Sequence, residues 1–320
     1  MDLSIVVPVY NEEESLPALH AAIGTALKDL PRAWEVIYVN DGSRDGSQAA
    51  LEALAAADPA HVTVIEFRRN FGQTTAIAAG IDHARGAIIT FLDADLQNDP
   101  ADIPMMLEKL DEGYDVVSGW RKFREDNALT RNLPSHLANG LISAVTGVHL
   151  HDYGCTLKTY RREVITGFRL YGEMHRFIPV YANAVGAKIL EVPVRHHARQ
   201  FGKSKYGLER TLKVILDLIA VQFLTRYSAK PIYLFGGGGI LMAGLGAAGM
   251  IFLALRKLLI RVDILTSPIF IISVLLALMG FQSVLMGLIA ELLVRTYHES
   301  QQKTTYTVRK VISSQLTVDS

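Results

Sequence analysis

Ile88-Ile89-Thr90-Phe91-Leu92-Asp93-Ala94-Asp95-Leu96-Gln97 begins as a continuous apolar, β-branched run and ends in two carboxylates and an amide. A short run with no polar face suits a strand covered on both sides, as in a parallel sheet between helix layers. Two carboxylates one residue apart at the lip of such a strand repel each other unless a cation sits between them. Hard oxygen ligands favour Mg2+ or Mn2+ bridging to a substrate diphosphate. Asp93, Asp95 and Gln97 are therefore the candidate metal ligands. A solvated turn is the bland alternative for an isolated Asp-x-Asp.

Working outward, similar runs occupy residues 4–9, 34–40, 62–66, 87–92 and 115–119, separated by helical stretches such as 15–30 and 46–57. This alternation predicts an α/β domain with a mostly parallel sheet. Ligands of such sheets bind beyond the carboxyl ends of the strands. A polar motif follows each run: Tyr10-Asn11-Glu12, Asp41-Gly42-Ser43, Arg68-Arg69-Asn70, Asp93-Ala94-Asp95 and Arg121. Asp41 is placed to accept hydrogen bonds from a ribose or base; its structural counterpart is an Asx-turn, with Ser43 and Asp45 capping a helix. Residues 8–12 lack the glycine fingerprint of a dinucleotide fold, which disfavours a dehydrogenase.

The 32 basic and 32 acidic side chains of this 320-residue chain cancel, so no overall positive field exists to hold a nucleic acid. A single cysteine, Cys155, excludes an internal disulfide and a Cys-rich zinc site. Only five of the charged residues fall among positions 231–294. There, 232–255 and 264–290 are uncharged, and the first, as a helix of about 36 Å, crosses a hydrocarbon core of about 30 Å. The two spans predict a hairpin with both chain ends on one side. Basic residues including Arg199, Lys203, Lys205, Arg226 and Lys230 before it, and Arg295, Lys303, Arg309 and Lys310 after it, predict cytoplasmic ends. The first residues have no basic region or cleavage site and read as a strand instead of a signal peptide. Gly244-x-Gly246-x-x-Gly249 matches the dinucleotide fingerprint but lies inside the first span, where close helix packing accounts for it better. Leu208, Leu212, Ile215, Leu216 and Ile219 recur at helical spacing and predict an amphipathic interfacial helix; packing on the catalytic domain is the alternative.

Basic residues gather before the first span: Arg121, Arg124, Arg131, and Arg195-His196-His197-Ala198-Arg199 running on to Lys203 and Lys205. Headgroup contacts explain single members of such a cluster; together they suggest a phosphate held at the membrane. Adjacent histidines on an extended segment point to opposite faces, which argues against a metal pair at 196–197.

The motifs at residues 8–12 (Pro-Val-Tyr-Asn-Glu), 40–45 (Asn-Asp-Gly-Ser-Arg-Asp), 69–73 (Arg-Asn-Phe-Gly-Gln), 93–97, 152–155 (Asp-Tyr-Gly-Cys) and 202–206 (Gly-Lys-Ser-Lys-Tyr) together resemble the family 2 glycosyltransferases of GT-A fold. The likeness is to the polyprenyl-phosphate branch, which includes dolichol-phosphate mannose synthase, bactoprenol glucosyltransferase and undecaprenyl-phosphate aminoarabinose transferase. It covers nearly the whole chain. It implies that Pro8, Tyr10, Glu12, Asp41 and Asp93 line a nucleotide-sugar pocket, and that Asp93, Asp95 and Gln97 hold Mg2+ or Mn2+ on the donor diphosphate. It implies that Arg121, Arg131, Arg199 and Lys205 hold an acceptor phosphate, with Asp95, Arg121 and Asp152 carrying the catalysis. Asn40 stands where many members have a second Asp.

The resulting expectation is an inverting hexose transfer from a nucleotide-diphosphate sugar to a polyprenyl phosphate at the inner membrane. The expected organisation is a cytoplasmic catalytic domain over 1–205, a juxtamembrane helix over 206–230, two spans within 231–294 and a cytoplasmic tail over 295–320. The tail's alternation over 304–312 reads as an edge strand that pairs in a homo-oligomer, a tetramer being one form. A sugar-phosphate nucleotidyltransferase is the enzymatic alternative, but it wants a glycine-rich basic loop after the first strand. A catalytically inactive membrane scaffold is the other, although both candidate metal carboxylates are present.

Overall fold

The computed structural model describes residues 1–122, 133–166, 170, 172, 174–198, 218, 221, 231–260 and 267–300. The chain divides into two compact units, 1–222 and 223–320.

In the first unit the strands are β1 (Leu3–Val9), β2 (Trp34–Asn40), β3 (Val62–Glu66), β4 (Ile88–Phe91), β5 (Val116–Trp120), β6 (Lys158–Arg161) and β7 (Ile189–Pro193). Helices α1 (Leu16–Leu27), α2 (Ser47–Ala57), α3 (Gln73–His83), α4 (Ile103–Asp111), α5 (Leu133–Thr146) and α6 (Ile178–Ala184) accompany them. The sheet order is β3-β2-β1-β4-β6-β5-β7. Alternate residues of the central strands feed two cores. Leu3, Ile5, Val7, Val36 and Tyr38 pack with α1 and α4 residues such as Leu19, Ile23 and Met106. Val6, Ile37 and Val39 pack with Ile77 and Ile81 of α3 and Ile178 of α6. Such two-sided burial is the physical reason the central strands show no polar face. In α1, Leu16, Leu19, Ile23 and Leu27 are buried, the stripe expected of a helix lying on a sheet.

The sheet is mostly parallel, as expected, with one antiparallel strand. Strand β6 lies antiparallel between β4 and β5, while β7 runs parallel to β5. β6 and β7 had no clear signal in the sequence because each is only four or five residues long and carries charged side chains. An antiparallel strand begins where its neighbours end. The segment entering β6, residues 151–157, is therefore delivered to the carboxyl edge of the parallel strands.

A third cluster joins Tyr153, Phe177, Val180 and Tyr181 to Leu218 and Val221. These two belong to the stretch read as an interfacial helix, and both are buried within the first unit. The remainder of that stretch, the basic residues Arg124, Arg131, Arg199, Lys203 and Lys205, and the tail 301–320 lie outside the described residues.

The second unit contains α7 (Ile232–Ile260) and α8 (Pro268–Ser300); both continue past the carboxyl ends of the uncharged runs, and α8 begins at Pro268, inside the second run. Both are long and apolar enough to cross a membrane. Gly246 faces α8, where an added Cβ would lie 2.6 Å from the Ser273 carbonyl oxygen and 2.7 Å from the Ala277 nitrogen. Gly249 likewise abuts Ser273, whereas Gly244 faces open space. Two glycines of the apparent fingerprint thus serve helix packing, in agreement with its position in an apolar span.

Candidate active site

The first two polar motifs interlock at the carboxyl edge of the sheet. The Asn11 N–H donates to Ser43 Oγ (3.0 Å), the Glu12 N–H to Ser47 Oγ (2.9 Å), and the Arg44 N–H back to Asn11 Oδ1 (2.8 Å). Asn11 adopts φ 55°, a left-handed conformation that asparagine tolerates better than most residues. Asp45 Oδ1 accepts from both the N–H and the hydroxyl of Ser47 at the start of α2, an Asx-type contact, while the N-cap position itself is Gly46 and has no side-chain cap. Pro8, Tyr10 and Glu12 are half-buried on this rim.

Asp41 is 3% exposed, and its two oxygens accept the N–H groups of Phe71 (2.7 Å) and Gly72 (2.9 Å). Burial raises its pKa, and these two bonds oppose the rise. The carboxylate fixes the loop after β3 against the end of β2. Gly42, at φ +66°, permits the approach, since a Cβ there would lie 2.3 Å from the carbonyl carbon of Arg69.

Asp93 and Asp95 emerge at the end of β4. Gln73 Nε2 at the start of α3 donates to Asp93 Oδ1 (3.0 Å), and the Gln97 N–H donates to Asp95 Oδ1 (3.2 Å). Leu96 between them has φ 59°, a conformation costly for a branched residue and of a kind that clusters at functional sites. Burial, and then the neighbouring Asp95 charge, raise the Asp93 pKa to about 6, against the opposing pull of Thr156, Arg121 and Lys158. Among the described residues no three His, Cys, Asp or Glu side chains gather to hold a metal ion. Two carboxylates in mutual repulsion nevertheless suit Mg2+ or Mn2+, which take one or two protein carboxylates and complete their shell with water and substrate phosphate.

Arg121 follows β5 and meets Asp152 in a two-pronged ion pair, Nε to Oδ2 at 2.7 Å and Nη2 to Oδ1 at 3.0 Å. Asp152 Oδ1 also accepts the Gly154 N–H (3.1 Å). The two side chains are 18% and 4% exposed. Burial alone would lower the Arg121 pKa, but Asp152 reverses this and holds the guanidinium charged.

Three residues given no role from the sequence support this corner. Lys158, 3% exposed at the start of β6, donates to the carbonyls of Tyr153 and Cys155, and burial lowers its pKa. Gln73 was visible only as the last letter of a motif. Glu191 of β7 accepts the N–H groups of Asp152 (Oε1, 2.9 Å) and His151 (Oε2, 3.0 Å) and lies 2.7 Å from His151 Nδ1. A charged residue inside an otherwise apolar strand was the available signal for Glu191, whereas Lys158, at the head of the polar run Lys-Thr-Tyr-Arg, had none. Burial pushes the Cys155 thiol up to about 11, so the single cysteine presents no thiolate at neutral pH.

Of the basic segment starting at residue 195, the described part is held by the loop around residues 97–102. Arg195 pairs with Asp99 (3.1 Å) and Asp102 (2.8 Å), and its own N–H donates to Asp102 Oδ2 (2.7 Å). The His197 N–H donates to the Gln97 carbonyl (2.9 Å), and His196 forms a β-bridge with Asn98. Residues 195–197 therefore fasten the loop that follows Asp95, and the sequence reading of Arg195 as part of an anion cluster is corrected by its two carboxylate partners.

Residues 4–168 match the model of the family described as glycosyl transferase family 2. The chain belongs to that family. It is a glycosyltransferase, and its mixed sheet is the GT-A-like scaffold of such enzymes. A dodecaprenyl-phosphate galacturonate synthase of Rhizobium johnstonii is 42% identical over 98% of this chain and 94% of its own length. An undecaprenyl-phosphate 4-deoxy-4-formamido-L-arabinose transferase of Shewanella sediminis is 39% identical over the same shares, 98% and 94%. In fold, glucosyl-3-phosphoglycerate synthase from Mycobacterium tuberculosis, solved with Mn2+ and UDP-glucose, superposes with a TM-score of 0.52 at 20% identity, covering 70% of this chain and 78% of that one.

Proposed function

We propose that this glycosyltransferase moves a hexose-type sugar from a UDP-linked donor to a polyprenyl phosphate, of undecaprenyl type, with inversion at the anomeric carbon. The carrying observation is the pairing of opposite functions on one sheet edge. Asp93 and Asp95 form an acidic corner fit for a cation, and Arg121, fixed by Asp152, carries a permanent positive charge close enough to lower the Asp93 pKa. Pro8, Tyr10, Glu12 and the loop tied to Asp41 line the nucleotide side. Asp93 and Asp95, with Gln97 nearby, would hold Mg2+ or Mn2+, which when bound neutralises charge on the departing diphosphate.

A phosphate monoester is largely dianionic at neutral pH, its second pKa being about 6, so it attacks without a strong base. The chain's own task is to bring this anion in line against a donor that is also anionic. Arg121 supplies the charge and Asp152 its direction. Arg131, Arg199 and Lys205 are assigned to the same phosphate on the family resemblance. Two helices able to cross a membrane and the names of the relatives support action at the inner membrane, with the catalytic unit and both termini cytoplasmic. The proposed organisation keeps residues 1–205 as the catalytic domain, followed by the juxtamembrane stretch and the two spans. The reading includes homo-oligomers, supported by the alternation at 304–312.

The test is a screen of radiolabelled UDP- and GDP-sugars against undecaprenyl phosphate, with mass spectrometry of the lipid product. A lipid-linked monosaccharide from a UDP-sugar is expected. Nucleotide transfer to a sugar phosphate, with no lipid product from any donor, would overturn the proposal.

A further inference from the structure

Resting on the proposed transfer to a phosphate acceptor, we infer that Glu191 is a positioning residue that sets the direction of the Asp152–Arg121 pair from the adjoining strand. Glu191 stands opposite Ser118 in the β5–β7 register, and β5 leads directly to Arg121. Its side chain is only 9% exposed. Both of its oxygens accept consecutive backbone N–H groups, those of His151 and Asp152, at 3.0 and 2.9 Å. The Asp152 carboxylate in turn takes Nε and Nη2 of Arg121 at 2.7 and 3.0 Å. A chain of charge-assisted bonds thus runs from a rigid strand, through the backbone of a loop, to the guanidinium assigned to the acceptor phosphate.

The opposite edge of the same loop is tied by Lys158, which takes the carbonyls of Tyr153 and Cys155. The loop's donors therefore go to an acid and its acceptors to a base, so residues 151–155 have little freedom to rotate. That matters because the Arg121 fork is useful only in one plane, and a shift of about 1 Å in a reacting partner can cost on the order of 100-fold in rate. An uncharged amide in place of Glu191 offers one acceptor where two N–H groups need acceptors, and it turns an NH2 toward the other. The His151 side chain, 67% exposed, also touches Glu191 but is not a link in this chain.

The experiment compares wild type, Glu191→Gln, Asp152→Asn, the double variant and His151→Ala, all as full-length protein. Steady-state transfer to undecaprenyl phosphate is measured, together with thermal midpoints. Arg121 labelling by phenylglyoxal is read by peptide mass spectrometry with no substrate present. Glu191→Gln is expected to lower kcat/KM for the acceptor about 10- to 100-fold with the donor KM within about twofold, because the effect passes through the orientation of Arg121. The double variant is expected to lie within about twofold of Asp152→Asn, since residues acting as one unit are not additive. Arg121 labelling is expected to rise in Glu191→Gln, and His151→Ala to stay within about threefold of wild type, its backbone bond being retained.

Multiplicative losses in the double variant, or unchanged Arg121 labelling in a folded Glu191→Gln protein, would overturn the inference. If Glu191→Gln fails to fold, Glu191→Asp, which keeps the charge on a shorter arm, takes its place under the same criteria. A wild-type protein that makes no lipid product defeats the functional reading instead, and the substrate-free labelling then decides the role of Glu191 alone.

Discussion

The two halves of the sheet edge are built differently. On the donor half, β1, β2, β3 and β4 are adjacent and parallel, and each delivers its motif directly beyond its own end. On the other half, Arg121, Asp152 and Glu191 come from β5, the entry to antiparallel β6, and β7, and they act only as an assembled chain of bonds. The first half tolerates local motif reading because each strand end is a self-contained unit. The second distributes one function over some seventy residues of sequence, so its parts have meaning only together.

Replacing Asp95 by Asn tests the donor half most severely. Transfer should fall by about three orders of magnitude or more, as expected when a charge-stabilising group at the leaving diphosphate is lost. Turnover near wild type in a radiolabel assay would remove the cation from the donor half.

Asp152→Asn strikes the other half. It leaves the buried Arg121 charge without its partner, so stability should drop by about 3–5 kcal/mol in chemical denaturation, and acceptor use should fall by roughly 100-fold. Near-normal turnover would show that the two halves do not divide the work as described.

A gentler probe is pH. Folding raises the Asp93 pKa to about 6, so the folded chain favours its protonated form. This contribution to the stability of metal-free protein is present in acid and is lost as pH rises through about 6. Mn2+ affinity should run the other way, rising up to about pH 6 and levelling above it, because the ion needs the carboxylate. Calorimetric titration of Mn2+ between pH 5 and 8 checks both the trend and the proton release.

The smallest effect is expected at Arg195, whose side chain is 54% exposed beside Asp99 and Asp102. Arg195→Gln should cost less than about 1 kcal/mol and leave the acceptor KM within about twofold, since exposed ion pairs contribute little. A large rise in acceptor KM would return Arg195 to the phosphate cluster from which its carboxylate partners remove it.

By itself the sequence determined the alternating strands and helices, the placement of Asp93 and Asp95 at a strand end, and two apolar runs long enough to span a bilayer. Each follows from periodicity or composition within a window of some ten to thirty residues, where local physics acts. Tertiary structure alone decided that Asp41 holds the Phe71–Gly72 backbone, that Arg195 fastens the loop after Asp95, and that β6 enters the sheet antiparallel. It also decided that Glu191 reaches Asp152. A carboxylate looks the same in sequence whether it meets a ligand, a backbone N–H or an arginine. Only the folded chain fixes which donor satisfies it, because a buried charge must take the partner that packing brings within reach.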